Sequence, residues 1–178
     1  IFLMDSLDVI ASRSPGLEGK MDRNTIGVGG HSYGAHTAQL VAGTRTKDFS
    51  GRYARHDDLR PKAFVLISPQ GKGFQLDEGS WKSFTRPALT ITGSRDFGRN
   101  GQAVEWRLHP YQYAPAQDKY LLFIEGAYHG FGGIVGSDQY RNAGPQNTAH
   151  LAYVKSSTIA FWDAYLKQDA SARSFLRS

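Results

Sequence analysis

The residues with the clearest chemical potential are a serine and its neighbours in the pentapeptide Gly30-His31-Ser32-Tyr33-Gly34. A strand-like run, Thr25 to Gly29, precedes the pentapeptide, and a helix-like run begins at Ala35. A serine hydroxyl can attack an ester carbonyl when a sharp strand-to-helix turn presents it to a base and to backbone N–H groups. The pattern therefore predicts Ser32 as a nucleophile, with the N–H of Tyr33 as a donor to the oxyanion that would form.

An acid and a base follow in the order that such a turn requires. Asp96 comes shortly after the predicted buried strand Ala88 to Thr92, and His129 follows the next predicted strand, Tyr120 to Ile124. The C-terminal ends of parallel strands meet at one edge of a sheet, where ligands bind. We therefore expect Asp96 and His129 to converge on Ser32 and to complete a Ser-His-Asp triad.

Other histidines and aspartates compete for these roles. His31 lies inside the elbow, where its side chain is expected to pack beside the turn, and Asp96 could instead cap a turn. Asp118 precedes its strand and belongs at the opposite end, whereas Asp138 follows His129 against the usual order. The remaining histidines lie in helical or polar contexts away from a strand end: His36, His56, His109 and His150.

Three segments, GHSYGAHT (30–37), TITGSRD (90–96) and IEGAYH (124–129), resemble the α/β-hydrolase superfamily. Together with SPQG (68–71) and FWDAYL (161–166), they are similar to the bacterial branch of predicted dienelactone hydrolases and platelet-activating-factor acetylhydrolase-like esterases. Dienelactone hydrolases proper use a cysteine nucleophile, and this chain has no cysteine. The resemblance therefore implies a serine esterase without a cofactor.

The resemblance covers the C-terminal part of the superfamily fold. It implies a truncated α/β-hydrolase fold without the usual N-terminal strands and without the loop that normally supplies a second oxyanion donor. Gln70, or an N–H from a partner chain, is a candidate substitute. Tyr128 and Phe131 are candidate substrate-binding residues, together with Tyr33, whereas Trp81 is expected in the core.

The elements needed to position these groups can be predicted along the whole chain. Periodicity favours one α/β domain over residues 1–178, with helices at 1–11, 35–42 and 148–167, a short helix around 103–108, and parallel strands beginning at Thr25, Lys62, Ala88 and Lys119. The charged stretch 52–60 is predicted to be a surface loop. With the preceding strands absent, the elbow strand becomes an open edge, which predicts a homodimer through residues 1–29.

Composition narrows the range of functions. The formal charge of +5 is scattered and accompanies no zinc-finger, RRM or helix-turn-helix pattern, so we expect no nucleic-acid partner. No apolar run reaches membrane-spanning length, and no metal is expected because histidines and carboxylates lack ligand spacing on a recognisable helix. The compartment is left open.

The sequence thus predicts a carboxylic ester hydrolase for short-chain soluble esters, acting through an acyl-enzyme. The same triad would also serve acyl transfer or perhydrolysis. The alternative from another class is a weak or inactive hydrolase remnant that serves as an assembly or binding module.

Overall fold

The computed structural model describes residues 1–73, 75–135 and 142–177. In chain order, the helices are α1 (Phe2–Asp5), α2 (Leu7–Arg13), α3 (Tyr33–Ala42), α4 (His109–Tyr113), α5 (Thr148–Leu166) and α6 (Ala170–Phe175). The strands are β1 (Ile26–His31), β2 (Thr46–Lys47), β3 (Tyr53–Ala54), β4 (Pro61–Ile67), β5 (Ala88–Arg95) and β6 (Lys119–Tyr128). Two 3₁₀ helices span Glu78–Ser83 and Val104–Leu108.

Four of the strands form a parallel sheet in the spatial order β1-β4-β5-β6. The register pairs His31 and Ile67, the last residues of β1 and β4, and it pairs Ile67 with Ile91, beyond which β5 continues to Arg95. Helices flank this sheet, and the predicted α/β class with a mostly parallel sheet is confirmed. The loops after β1, β4, β5 and β6 consequently leave the same edge.

Strand β4 shows why the sheet is buried on both faces. Side chains alternate along a strand, so Phe64 and Leu66 face one side while Ala63 and Val65 face the other. The first pair packs with α3, and the second packs with α5. A run of apolar residues without polar alternation is the pattern expected for a strand with helices on both faces.

The outer edge of β1 has no strand partner among the described residues, as the sequence predicted for the elbow strand. This strand is rich in glycine because α5 approaches it closely. A Cβ on Gly27 would lie 2.6 Å from the ring of Trp162, which rests directly on the strand. Trp162 thus covers one face of β1, while Val28 packs on the other face against the α3 cluster.

Several element boundaries differ from the predicted ones. The predicted helix 1–11 is interrupted at Ser6 and continues as α2 to Arg13. Neither short helix contains a fully buried residue: Phe2 and Leu3 are exposed, whereas Leu7 and Ile10 are half-buried. The elbow helix begins at Tyr33, two residues earlier than predicted, and the predicted terminal helix is present as α5, although its Ile159 is 59% exposed.

Some elements carry too weak a sequence signal to be predicted. The region predicted as a loop at 52–60 includes β3, which pairs antiparallel with β2. The short helix predicted around 103–108 is present as a 3₁₀ helix, whereas α4, which follows it, and α6, which packs against α5, were not predicted. Each of these elements is short, so local periodicity does not distinguish it from a loop.

No helix in the described part of the chain has both the length and the apolar character needed to cross a membrane.

Candidate functional site

Ser32 is the single residue between β1 and α3, and its backbone is in an unusual conformation. Its φ is 56° and its ψ is −113°, a region that non-glycine residues rarely adopt. Its N–H donates to Ile67 O at 2.9 Å, and its carbonyl accepts from His36 N at 3.1 Å. These bonds tie the turn to β4 and to α3, and the neighbouring elements hold the strained residue in place.

The two glycines of the pentapeptide have different roles. A Cβ on Gly30 would lie 2.2 Å from the carbonyl carbon of Gly34, so no other residue fits without moving the backbone. A Cβ on Gly34 would meet nothing within 4 Å. The close approach of strand and helix therefore requires glycine at position 30, while Gly34 contributes the backbone that Gly30 touches.

Asp96 and His129 form a hydrogen-bonded pair at the same edge of the sheet. His129 Nδ1 lies 2.8 Å from Asp96 Oδ1, and Asp96 is fully buried. An ionised carboxylate only accepts, so Nδ1 carries the proton and Nε2 remains the free ring nitrogen. This is the tautomer that a histidine needs in order to take a proton from a hydroxyl.

The carboxylate of Asp96 is held by further donors. Thr92 Oγ1 donates to Oδ2 at 3.0 Å, and the backbone of Asp96 is fixed separately, since its N–H donates to Gly93 O at 3.0 Å. Arg107 Nε lies 3.5 Å from Oδ1. A buried carboxylate with several donors has a fixed orientation, since rotation would leave donors unpaired.

Ser68 is a member of this cluster that sequence reasoning did not assign. Its hydroxyl donates to Asp96 Oδ1 at 2.9 Å and lies 2.8 Å from His129 Nδ1, and the residue is fully buried. The signal in the sequence is a polar residue directly after the apolar strand β4, at the same edge as the other groups. Several polar residues follow strands, so this signal alone does not identify the one that reaches Asp96.

Arg107 is the second unassigned residue. It is 4% exposed, and its guanidinium donates to four carbonyl oxygens, those of Ser68, Pro69, Asp96 and Phe97. Burial lowers the pKa of Arg107, and the charge of Asp96 opposes this effect. Arg107 thus joins the loops after β4 and β5 and places a positive charge behind the acid.

The Ser32 hydroxyl makes no hydrogen bond to any of the described residues. The structure nevertheless brings the serine close to the pair through its neighbours. The residue before it, His31, donates from Nε2 to the carbonyl of His129 at 2.8 Å, and the two rings lie 4.6 Å apart. Ser32 N–H also donates to the carbonyl of Ile67, and the next residue in the chain, Ser68, contacts both Asp96 and His129.

The candidate substrate-binding residues lie in different environments. Tyr33 is 73% exposed, and Tyr128, on β6, is half-buried with its hydroxyl 2.6 Å from Arg95 Nη1. Gln70 is half-buried, and its carbonyl accepts from Gln39 Nε2 at 3.1 Å. Phe131 is fully buried in the α5 cluster with its ring edge-on to His31.

The rival residues are separated by the fold. Asp118 lies immediately before β6, and its carbonyl bonds to Ala88, the first residue of β5, so it belongs to the opposite end of the sheet as expected. Asp138 lies outside the described residues. Trp81 is fully buried, as predicted, and its Nε1 donates to Gln39 Oε1 at 2.9 Å.

The pKa of His31, beside the pair, is also affected by its environment. Burial lowers the pKa of His31, and this effect is opposed by its bond to the His129 carbonyl. A neutral His31 therefore stands beside the base. Burial also lowers the pKa of His36, which lies on α3 next to the elbow.

The chain matches no protein-family model, and a comparison with curated proteins finds no significant relative. The fold is that of an α/β protein with a mostly parallel sheet.

Proposed function

We propose that the protein is a serine carboxylesterase of the α/β-hydrolase type that acts on small soluble esters. The observation that carries the proposal is the 2.8 Å bond between Asp96 and His129 at the sheet edge where the strained residue Ser32 turns into α3. A hydroxyl, a carboxylate and an imidazole, contributed in this chain order from the C-terminal ends of β1, β5 and β6, are the components of a nucleophilic triad.

In the proposed reaction, Ser32 Oγ attacks the acyl carbon and its proton passes to His129 Nε2. The C–O bond to the alcohol then breaks, and the alcohol leaves with that proton. Water attacks the acyl-enzyme, gives a proton to His129, and releases the carboxylic acid with Ser32 restored. Asp96 orients the imidazole and stabilises the imidazolium that forms in each half-reaction.

The N-terminus of α3 supports stabilisation of the oxyanion. Tyr33 is the first residue of the ten-residue helix, so its N–H has no intrahelical partner and lies at the positive end of the helix dipole. Gln70 is the proposed second donor from within the chain. Loss of one such donor typically costs about 10²–10³ in rate, so Gln70→Ala should slow the reaction by about that factor if the assignment is right.

A fluorophosphonate probe tests the function directly, since it phosphonylates only activated serines. We expect labelling of the parent chain at Ser32, found by peptide mass spectrometry, and hydrolysis of a short p-nitrophenyl ester. Ser32→Ala should lose both activities and keep the circular dichroism spectrum and melting temperature of the parent. His129→Ala should also lose hydrolysis.

The second candidate function is a binding or assembly module without catalysis. It is favoured by the Ser32 hydroxyl, which has no hydrogen-bond partner among the described residues. A folded chain that neither reacts with the probe nor hydrolyses esters would support the module and exclude the esterase.

We also propose that the chain forms a homodimer through β1 and the helices α1 and α2. The outer edge of β1 leaves backbone groups without a strand partner in the described chain, and the segment that contains α1 and α2 carries exposed apolar side chains: Ile1, Phe2, Leu3 and Val9. Unprotected strand edges of this kind promote pairing with a second chain. Light scattering should give twice the chain mass of 19.7 kDa, and a double Phe2→Lys, Leu3→Lys variant should shift it toward the monomer. A parent protein that stays monomeric at working concentration would exclude the dimer.

A further inference from the structure

His31 connects the nucleophile turn to the loop of the base. Its Nε2 lies 2.8 Å from the carbonyl oxygen of His129, a contact between residues 98 positions apart in the chain. His31 is the last residue of β1 and directly precedes Ser32. A single hydrogen bond thus joins the two segments that would have to exchange a proton.

The partner of this bond determines the state of the His31 ring. A carbonyl oxygen only accepts hydrogen bonds, so Nε2 carries the proton and donates. The ring also lies 4.6 Å from the ring of His129 and edge-on to Phe131, with centroids 6.2 Å apart. His31 therefore contacts the base through both its polar atom and its ring face.

The loop that carries His129 contains permissive backbone positions and is held by hydrogen bonds to neighbouring segments. Glycines with positive φ lie on both sides of the histidine, at Gly126 and Gly132. On one side, His129 N donates to Asn142 O at 3.1 Å. On the side of the nucleophile, the bond from His31 is the direct hydrogen bond between β1 and this loop.

We propose that His31 is a positioning residue that holds His129 against the nucleophile turn by donating Nε2–H to the His129 carbonyl. The inference rests on the proposed esterase function. Charged and titratable groups around His31 are His129 itself, Asp96 on the β5 loop and Arg107 on the 3₁₀ helix. Burial lowers the pKa of His31, so it is neutral while His129 becomes positively charged in the reaction.

Two substitutions of His31 distinguish the effect of its N–H donor from the effect of its aromatic ring. His31→Phe keeps an aromatic ring but removes the N–H, and His31→Gln restores a neutral N–H donor. We expect His31→Phe to lower kcat by about 10- to 100-fold with KM within about twofold of the parent, since misplacement of a reacting group by about 1 Å costs about this much. His31→Gln should recover most of the loss, to within about fivefold of the parent. His36→Phe, a half-buried histidine without a contact to His129, is the matched control and should remain within about threefold.

Amide hydrogen exchange provides a readout that does not depend on activity. In His31→Phe, the amides of His129 and Gly130 should exchange at least about tenfold faster than in the parent, and His31→Gln should restore their protection. Unchanged exchange in His31→Phe, or a Gln variant as impaired as the Phe variant, would overturn the inference. If the parent lacks ester hydrolysis and probe labelling, the proposed function fails, and the exchange experiment alone then decides whether His31 positions the loop.

Discussion

At the scale of single residues, the site is a set of donors directed at one buried carboxylate. Asp96 accepts from His129, Ser68 and Thr92, and Arg107 lies behind it. Each donor is buried or partly buried, where a hydrogen bond to a charge contributes about 1.5–3 kcal/mol. This arrangement makes the orientation of the acid, and through it that of His129, sensitive to small changes.

Asp96→Asn should reduce kcat by about 10⁴ while the fold is kept, because an amide can donate to Nδ1 and so stabilise the wrong tautomer of His129. Asp118→Asn, at the other end of the sheet, serves as the control and should leave kcat unchanged. Steady-state kinetics on a p-nitrophenyl ester measure both. Greater damage from Asp118→Asn would remove Asp96 from the proposed triad.

Ser68→Ala should lower kcat by about tenfold or more, since it removes a donor that contacts both Asp96 and His129. Thr92→Val removes a donor to the other carboxylate oxygen, keeps the volume of the side chain, and does not touch the histidine. We therefore expect Thr92→Val to cost less than Ser68→Ala in the same assay. Equal losses would mean that both hydroxyls act only by solvating the carboxylate.

At the scale of elements, the strand-to-helix turn depends on how closely β1 and α3 approach each other. The distance is set by a backbone contact between Gly30 and Gly34 and not by side chains. Strand β4 also holds the turn in place, because the carbonyl of Ile67 accepts a hydrogen bond from the N–H of Ser32. The nucleophile position is therefore a property of three elements together.

Gly30→Ala should destabilise the fold by about 3 kcal/mol, the upper end of the range for overpacked sites, because its Cβ would meet backbone atoms that cannot rotate away. Gly34→Ala is the matched control. Its Cβ enters open space in a helix, so we expect a change between zero and about 1 kcal/mol of stabilisation. Urea denaturation compares the two variants, and a tolerated Gly30→Ala would show that the strand and helix can separate.

At the scale of the whole molecule, charge and burial predict how stability depends on pH. Burial lowers the pKa of three histidines, His31, His36 and His109, below the ordinary value of 6.5. A hydrogen bond from Arg60 lowers the pKa of Asp58 to about 2. Hydrogen bonds from Tyr53 and Lys47 lower the pKa of Asp77 to about 2 as well. The two sets of groups act in different pH ranges.

The histidines should make the protein less stable as the pH falls below about 6.5. In that range the unfolded chain binds protons that the folded chain excludes, so the free energy of unfolding decreases by at most about 1.4 kcal/mol per pH unit for each histidine, and by less for those that are partly exposed. We expect the free energy of unfolding, measured by urea denaturation, to be lower at pH 5.5 than at pH 7.5. A double His36→Gln, His109→Gln variant should show a smaller loss, and identical stability of the parent at both pH values would contradict the prediction.

The aspartates should contribute only at lower pH. Because their folded-state pKa values lie below the ordinary 3.8, the stability they provide is present above about pH 4 and is lost as the pH falls toward 2. Two separate phases of acid destabilisation are thus expected, the first from histidines and the second from carboxylates.

The amino-acid sequence by itself determined the class of fold and the order of the main elements. Apolar runs of strand length at Lys62, Ala88 and Lys119, and a glycine-bounded serine between a strand and a helix, depend on local periodicity and turn chemistry, which the chain displays directly. Asp96 and His129 could be selected because each follows such a strand, and strands that run in parallel bring their C-terminal ends together.

Only the tertiary structure decided which groups touch. Ser68, Arg107 and His31 contact the Asp96–His129 pair through side chains whose directions depend on sheet register and on the positions of distant loops. The same contacts bury Phe131 in the α5 cluster. Register and loop packing depend on many non-local contacts. A local sequence pattern can therefore place a residue at the correct edge of the sheet, but it cannot determine which side chains that residue contacts.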